Sequence, residues 1–200
     1  MLWHTKKTDF GNWQKILSSW MLMIKKLFFY YATSFFQPAL WSQLLLQCNA
    51  LLVKHQYELS DFVIFERWLK SYVSNWTACD DFCAKPLAAL LNKFPALIAK
   101  TDAWVGSDNP WVRRASVVVL IYSARDKKYL PLIFQRCSQL INDENTYVQK
   151  GYGWLLKKTS AFALEEVFNL IMSIKNNMPR LALRYAIEKM PAEYKRQAMA

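Results

Sequence analysis

Asn109-Pro110-Trp111-Val112-Arg113-Arg114-Ala115-Ser116-Val117-Val118-Val119-Leu120-Ile121 reads as the start of a helix and the face it buries. Asp108-Asn109 supplies a cap, and a proline at the first helical position costs nothing, because its missing N–H would be an orphan donor there anyway. Val117, Leu120 and Ile121 then recur at three and four spacing, the stripe of a helix packed against a core. Arg113 and Arg114 sit in the first turn, where a cation opposes the helix dipole by about 0.3–1 kcal/mol. A phosphate reverses that sign, because it takes both the free N–H groups and the guanidinium groups. A carboxylate such as Asp108 is the competing partner for these arginines.

The same pattern continues on both sides. Leu87, Leu90-Leu91, Phe94 and Leu97-Ile98 form one stripe, and Val167, Leu170, Ile171 and Ile174 another. Asp126 precedes a helix running from Tyr129 to Ile141, and Asn142 or Asp143 precedes the next. Ser160 is expected to cap Phe162 to Ile174, with Glu165 and Glu166 complementing its dipole, and Pro179 opens a helix from Leu181 to Met190. Lys195 and Arg196 read as an exposed tail. Helix starts recur about every 15 to 19 residues, so helix pairs recur at about 35, the scale of stacked helical repeats. Gly is scarce, at 4 residues, and strand-like alternation is rare. The expected fold is all-α, a superhelical stack of antiparallel helix pairs whose concave surface can receive a long anionic ligand.

Composition supports one sizeable domain. The chain has 200 residues, 54% of them hydrophobic, which excludes a disordered chain. The net charge is +11, and the excess is spread: 11 bases against 6 acids through Lys100, and 15 against 9 after it. A folded basic face fits better than a basic tail, with nucleic acid the first anionic partner and a membrane surface the second. Residues 1–40 form an atypical segment in which Trp20–Ile24 and Leu27–Ala32 are apolar runs separated by Lys25-Lys26, both too short to cross a membrane. They fit an amphipathic helix pair or an altered start to the repeat domain, which is taken as 41–200. Cys48, Cys79, Cys83 and Cys137 lack histidines at ligand spacing, so no metal site is expected and they read as buried thiols in a reduced, cytoplasmic setting.

Three segments carry chemistry: Trp76-Thr77-Ala78-Cys79-Asp80-Asp81, the Arg113-Arg114 stretch, and Val148-Gln149-Lys150-Gly151-Tyr152-Gly153-Trp154. Trp76 and Asp80 are four apart and share a face if helical. Taken alone, Asn75 or Asp80 reads equally as a helix cap with the acids in solvent. Gly151 and Gly153 each weaken a helix by about 1 kcal/mol against Ala, which makes sense where a helix or ligand approaches closely. Trp154 beyond them is either a core anchor or a cleft indole. Trp104 is assigned to the core, and Trp111 is left open between cleft and core. Lys127-Lys128 and Lys157-Lys158 read as solvated faces within reach of phosphates.

In order and content these segments resemble the signature of the AlkD-like DNA alkylation repair glycosylases, HEAT-like repeat proteins, over roughly Trp41 to Lys195. The resemblance implies that Asp80 is the catalytic carboxylate and that Trp76 and Trp154 are the indoles flanking it. It implies that Arg114 holds a phosphate, with Arg113, Lys157, Trp111 and Lys150 as further DNA contacts. Lys157 stands where the family commonly has arginine, three residues after the tryptophan; it keeps the charge and loses the bidentate fork. The implied activity is hydrolysis of the N-glycosidic bond of cationic N3- or N7-alkylated purines in duplex DNA, by a monomer that needs no cofactor and no membrane. The alternatives are a non-enzymatic module binding bent or branched DNA and a protein-binding helical scaffold.

Overall fold

The structure, a computed structural model, describes residues 57–200, which all fall within one compact unit of the chain. The expected boundary near residue 40, the whole N-terminal segment and Cys48 lie outside the described residues. Among the described residues every regular element is helical: α1 (Asp61–Tyr72), α2 (Trp76–Phe82), α3 (Ala88–Lys93), α4 (Pro110–Val118), α5 (Leu130–Gln139), α6 (Thr146–Thr159), α7 (Leu164–Ile174), α8 (Arg180–Ile187) and α9 (Ala192–Met199). The chain thus has the all-α, repeat-like fold expected of it.

The helices form two layers. In one, α2, α4, α6 and α8 pack side by side in that order; behind them α5 lies against α4 and α6, α7 against α6, and α9 against α7 and α8. Short connections such as 160–163 turn the chain back on itself and make neighbours antiparallel. The seam between layers is apolar: Phe65, Trp68, Phe82, Leu120, Ile133, Leu155 and Ile171 are fully buried. Trp104 belongs to this core as expected, and its indole N–H donates to Glu66 Oε1 at 2.8 Å.

Several helix starts follow their caps. Asn75 Oδ1 accepts from Ala78 N–H at 2.9 Å, and Asn109 Oδ1 accepts from Trp111 N–H at 2.9 Å. Other boundaries differ from the sequence expectation. The cap of α6 is Asn145, whose Oδ1 accepts from Tyr147 and Val148 N–H; Asp143 is used elsewhere. Ser160 ends α6 by donating back to Lys157 O, and α7 starts at Leu164. Residues 192–199 are a helix, α9, so Lys195 and Arg196 are not a tail.

The apolar stripe from Leu87 to Ile98 is not one helix. Pro86 has no N–H to donate to the carbonyl four residues back. The chain widens there into a π-helical turn over Cys83–Leu87, and Ala88 N–H reaches Cys83 O instead. After Pro95 it runs as tight 3-10 turns to Gly106. Arg136 holds this segment to the core. It is 1% exposed and donates to Ser116 O, Ile98 O, Thr101 Oγ1 and Asp102 Oδ1. Burial pushes its guanidinium below the ordinary arginine value, and the Asp102 carboxylate opposes that shift.

Gly153 explains how closely α6 and α8 approach. A Cβ there would stand 2.8 Å from Ala182 O and 2.8 Å from Tyr185 Cβ. Gly153→Ala should therefore destabilise the fold by ~1–3 kcal/mol despite alanine's better helix propensity, because backbone must move. Urea denaturation checks this; unchanged or raised stability would contradict the close crossing.

Candidate active site

The four helices of the front layer each contribute to one open cleft of about 560 Å³. Trp76 and Asp80 come from α2, Arg114 from α4, Tyr147, Lys150, Trp154 and Lys157 from α6, and Tyr185 from α8. The α6 residues lie three, four and three apart, so one helix face supplies two rings and two cations in alternation. Trp76 follows the Asn75 cap directly and is 51% exposed. Trp154 is half-buried.

Asp80 and Arg114 face each other as a fork on a fork. Arg114 Nε donates to Asp80 Oδ1 at 2.8 Å, and Nη2 donates to Oδ2 at 2.8 Å. Arg114 Nη1 donates to the carbonyl of Tyr147 in the first turn of α6. Gly151 makes room for this: a Cβ there would lie 3.2 Å from Arg114 Cγ and 3.3 Å from Nη1. One guanidinium thereby ties α2, α4 and α6 together. Each Asp80 oxygen accepts one of these bonds, and a carboxylate has about four lone-pair sites, so acceptor capacity remains toward the cleft.

This arrangement gives both arginines of α4's first turn a carboxylate partner. Arg114, expected to hold a phosphate, lines the cleft with a side chain that is 6% exposed and three of its donors engaged inside the protein. It orients Asp80. Arg113 has partners inside the protein as well. Its Nε donates to Asp143 Oδ2 at 2.6 Å and its Nη2 to Oδ1 at 3.2 Å, while Nη1 donates to the Ser107 and Asp108 carbonyls. The carboxylate that offsets this cation is thus Asp143, thirty residues on, and Asp108 takes part through its backbone. Both cations of α4's first turn thus face carboxylates from elsewhere in the chain.

The other expected residues divide. Lys150 and Lys157 reach the cleft. Lys150 Nζ stands 5.7 Å from the Tyr147 ring centroid; Lys157 Nζ stands 5.4 Å from that of Tyr185 and 2.8 Å from Glu188 Oε2. Trp111 does not line the cleft. It packs against Tyr147 with centroids 5.1 Å apart and backs that ring. Lys127 and Lys128 are exposed and paired with Glu166 and Asp126. Tyr147 and Tyr185 are cleft residues that the sequence reading missed. Tyr147 carried a usable signal, since it is seven residues before Trp154 on the same helical face; Tyr185 carried none.

The neighbouring thiols are buried. Burial pushes Cys83 up, helped by the adjoining Cys79 and Asp80, and burial likewise raises Cys137. Cys79, Cys83 and Cys137 are all free and buried, as expected of structural thiols. Among the described residues no cluster of three His, Cys, Asp or Glu could hold a metal ion, and no helix is long and apolar enough to cross a membrane.

Comparison with known proteins agrees with the all-helical fold. The family model described as DNA alkylation repair enzyme matches residues 45–190. A solved structure described as a predicted DNA alkylation repair enzyme from Enterococcus faecalis is similar in fold. Its TM-score is 0.65 at 15% sequence identity, over 84% of this chain and 83% of that one. No curated protein sequence matches the chain.

The pairing makes Asp80 and Asp81 separable. Asp80→Asn leaves Arg114 buried beside a neutral amide and should cost ~1–3 kcal/mol of stability. Asp81 pairs with exposed Lys85 at 2.8 Å, an i,i+4 surface contact, and Asp81→Asn should cost less than ~0.5 kcal/mol. Equal losses in urea denaturation would contradict the assignment of Asp80 as the anchored carboxylate.

Proposed function

The chain belongs to the DNA alkylation repair enzyme family, and we propose that its cleft hydrolyses the N-glycosidic bond of cationic N3- or N7-alkylated purines in duplex DNA. The observation that carries this reading is an oriented carboxylate, Asp80, at the floor of a cleft bordered by Trp76 and Trp154.

Alkylation at N3 or N7 gives the purine a positive charge and makes it a good leaving group. Breaking the bond moves positive charge onto the deoxyribose. Stabilising that charge requires a negative group fixed before the reaction begins, because a carboxylate that must reorient forfeits much of its effect. Arg114 supplies the fixing. It neutralises part of Asp80's field and in exchange holds both oxygens in place, with acceptor capacity left for the sugar cation or an attacking water. The faces of Trp76 and Trp154 add cation–π attraction for the same developing charge. Lys150 and Lys157 hold backbone phosphates at the rim, and Tyr147 and Tyr185 give the sugar edge an apolar wall.

The ion pair also fits a second reading. A carboxylate held bidentate by an arginine is a sound structural fixture, and a basic, aromatic cleft can bind bent or branched DNA through phosphates alone.

Incubation with duplex DNA carrying one 7-methylguanine, followed by an abasic-site assay, tests the proposal. Wild type should release the base; Asp80→Asn should slow single-turnover release by roughly 10²–10³-fold. Trp154→Ala should slow it by about tenfold, equal to ~1.4 kcal/mol of transition-state stabilisation. Uracil, a neutral base with no evident general acid to assist it, should stay in place. Release of uracil as fast as 7-methylguanine would overturn the mechanism. Absence of any release, with tight binding to bent or branched DNA, would favour the non-enzymatic reading.

A further inference from the structure

Glu188 stands at the end of α8, where its negative charge faces the negative pole of the helix dipole. A carboxylate at that end is stabilised by what it touches, and what it touches is Lys157. Lys157 Nζ donates to Glu188 Oε2 at 2.8 Å, while Lys189 Nζ lies farther off, 3.8 Å from Oε1. The Lys157 bond is the main cause that holds the Glu188 carboxyl below the ordinary glutamate range.

The two partners sit differently. The Lys157 side chain is 17% exposed, with its ammonium over the Tyr185 ring; the Glu188 side chain is 48% exposed. Lys157 lines the cleft and Glu188 does not. The cation is therefore the more enclosed partner, and the anion meets it from the more exposed side. A carboxylate so placed occupies the position at which an external oxyanion would meet the same ammonium. One anion replaces another there with little change in the protein, whereas displacing Asp80 from Arg114 would uncover a buried charge.

We propose that Lys157 and Glu188 form an exchange site for one DNA phosphodiester, with Glu188 as the internal occupant that the phosphate displaces. This rests on the reading of the cleft as a duplex-binding surface, and it adds a residue, Glu188, that limits how tightly the protein holds DNA. A bare lysine contributes to the salt dependence of binding through the counterion its phosphate releases; a lysine that must first part from a carboxylate contributes less.

The test is binding of a short undamaged duplex across a range of salt concentrations to wild type, Glu188→Gln, Lys157→Met and the double variant. Glu188→Gln should bind about fivefold more tightly than wild type and steepen the slope of log K against log salt by roughly 0.5–0.9. In the Lys157→Met background the same substitution should gain less than about twofold, leaving a clear coupling between the two sites. An equal gain in both backgrounds would make Glu188 a general negative charge and overturn the exchange site. An unchanged affinity and slope for Glu188→Gln would overturn it as well. Wild type that fails to bind duplex DNA at any salt concentration would overturn the duplex-binding reading together with this inference.

Discussion

The bidentate pair between Asp80 and Arg114 is the interaction on which the site depends. It joins α2 to α4, and the third donor of the same guanidinium joins α4 to the first turn of α6. Such a pair is weak evidence for stability by itself, since removing two charges from water costs about as much as their attraction returns. Its value is directional. It holds both oxygens of a carboxylate on α2, between helices whose other side chains bring rings and cations to the same opening. Gly151 belongs to this device as much as the charged residues do, because any side chain there would press on the arginine's stem.

The electrostatics of the molecule are more economical than its net charge of +11 implies. Arg113, Arg114 and Arg136 are each neutralised internally, by Asp143, Asp80 and Asp102. They act as struts. The cations left for an anionic partner at the cleft are lysines, strongly hydrated point charges that suit a backbone phosphate in many orientations and specify none. Register on DNA would then come from the shape of the cleft and the indoles, with the lysines supplying attraction.

Much of this was legible in the sequence, for physical reasons that differ by residue. The Asn109-Pro110 cap placed α4 because capping chemistry is local, and Trp104 lies in the core to which it was assigned. The Trp76–Asp80 spacing put both on one helical face because four residues nearly complete a turn. What was lost depended on distance or on the absence of a donor. Asp143 and Arg113 are thirty residues apart, and Lys157 and Glu188 thirty-one, so no window along the chain contains either pair. Pro86 widened a helix that the apolar stripe alone made continuous, and Asn145 outcompeted Asp143 as a cap because Asp143 was engaged by Arg113. The partners of the arginines were hidden for the same reason: Asp80 and Asp143 lie 34 and 30 residues away from Arg114 and Arg113.

The central claim is that Asp80 and Arg114 act as one catalytic unit, a carboxylate and the group that aims it. A double-mutant cycle on single-turnover release of 7-methylguanine, with Asp80→Asn, Arg114→Met and both together, tests it most directly. Members of one unit are not additive, so the account predicts that Arg114→Met slows release strongly and that the double variant is no slower than Asp80→Asn alone. Losses that multiply in the double variant would mean that the arginine serves catalysis without the carboxylate, and would contradict the account.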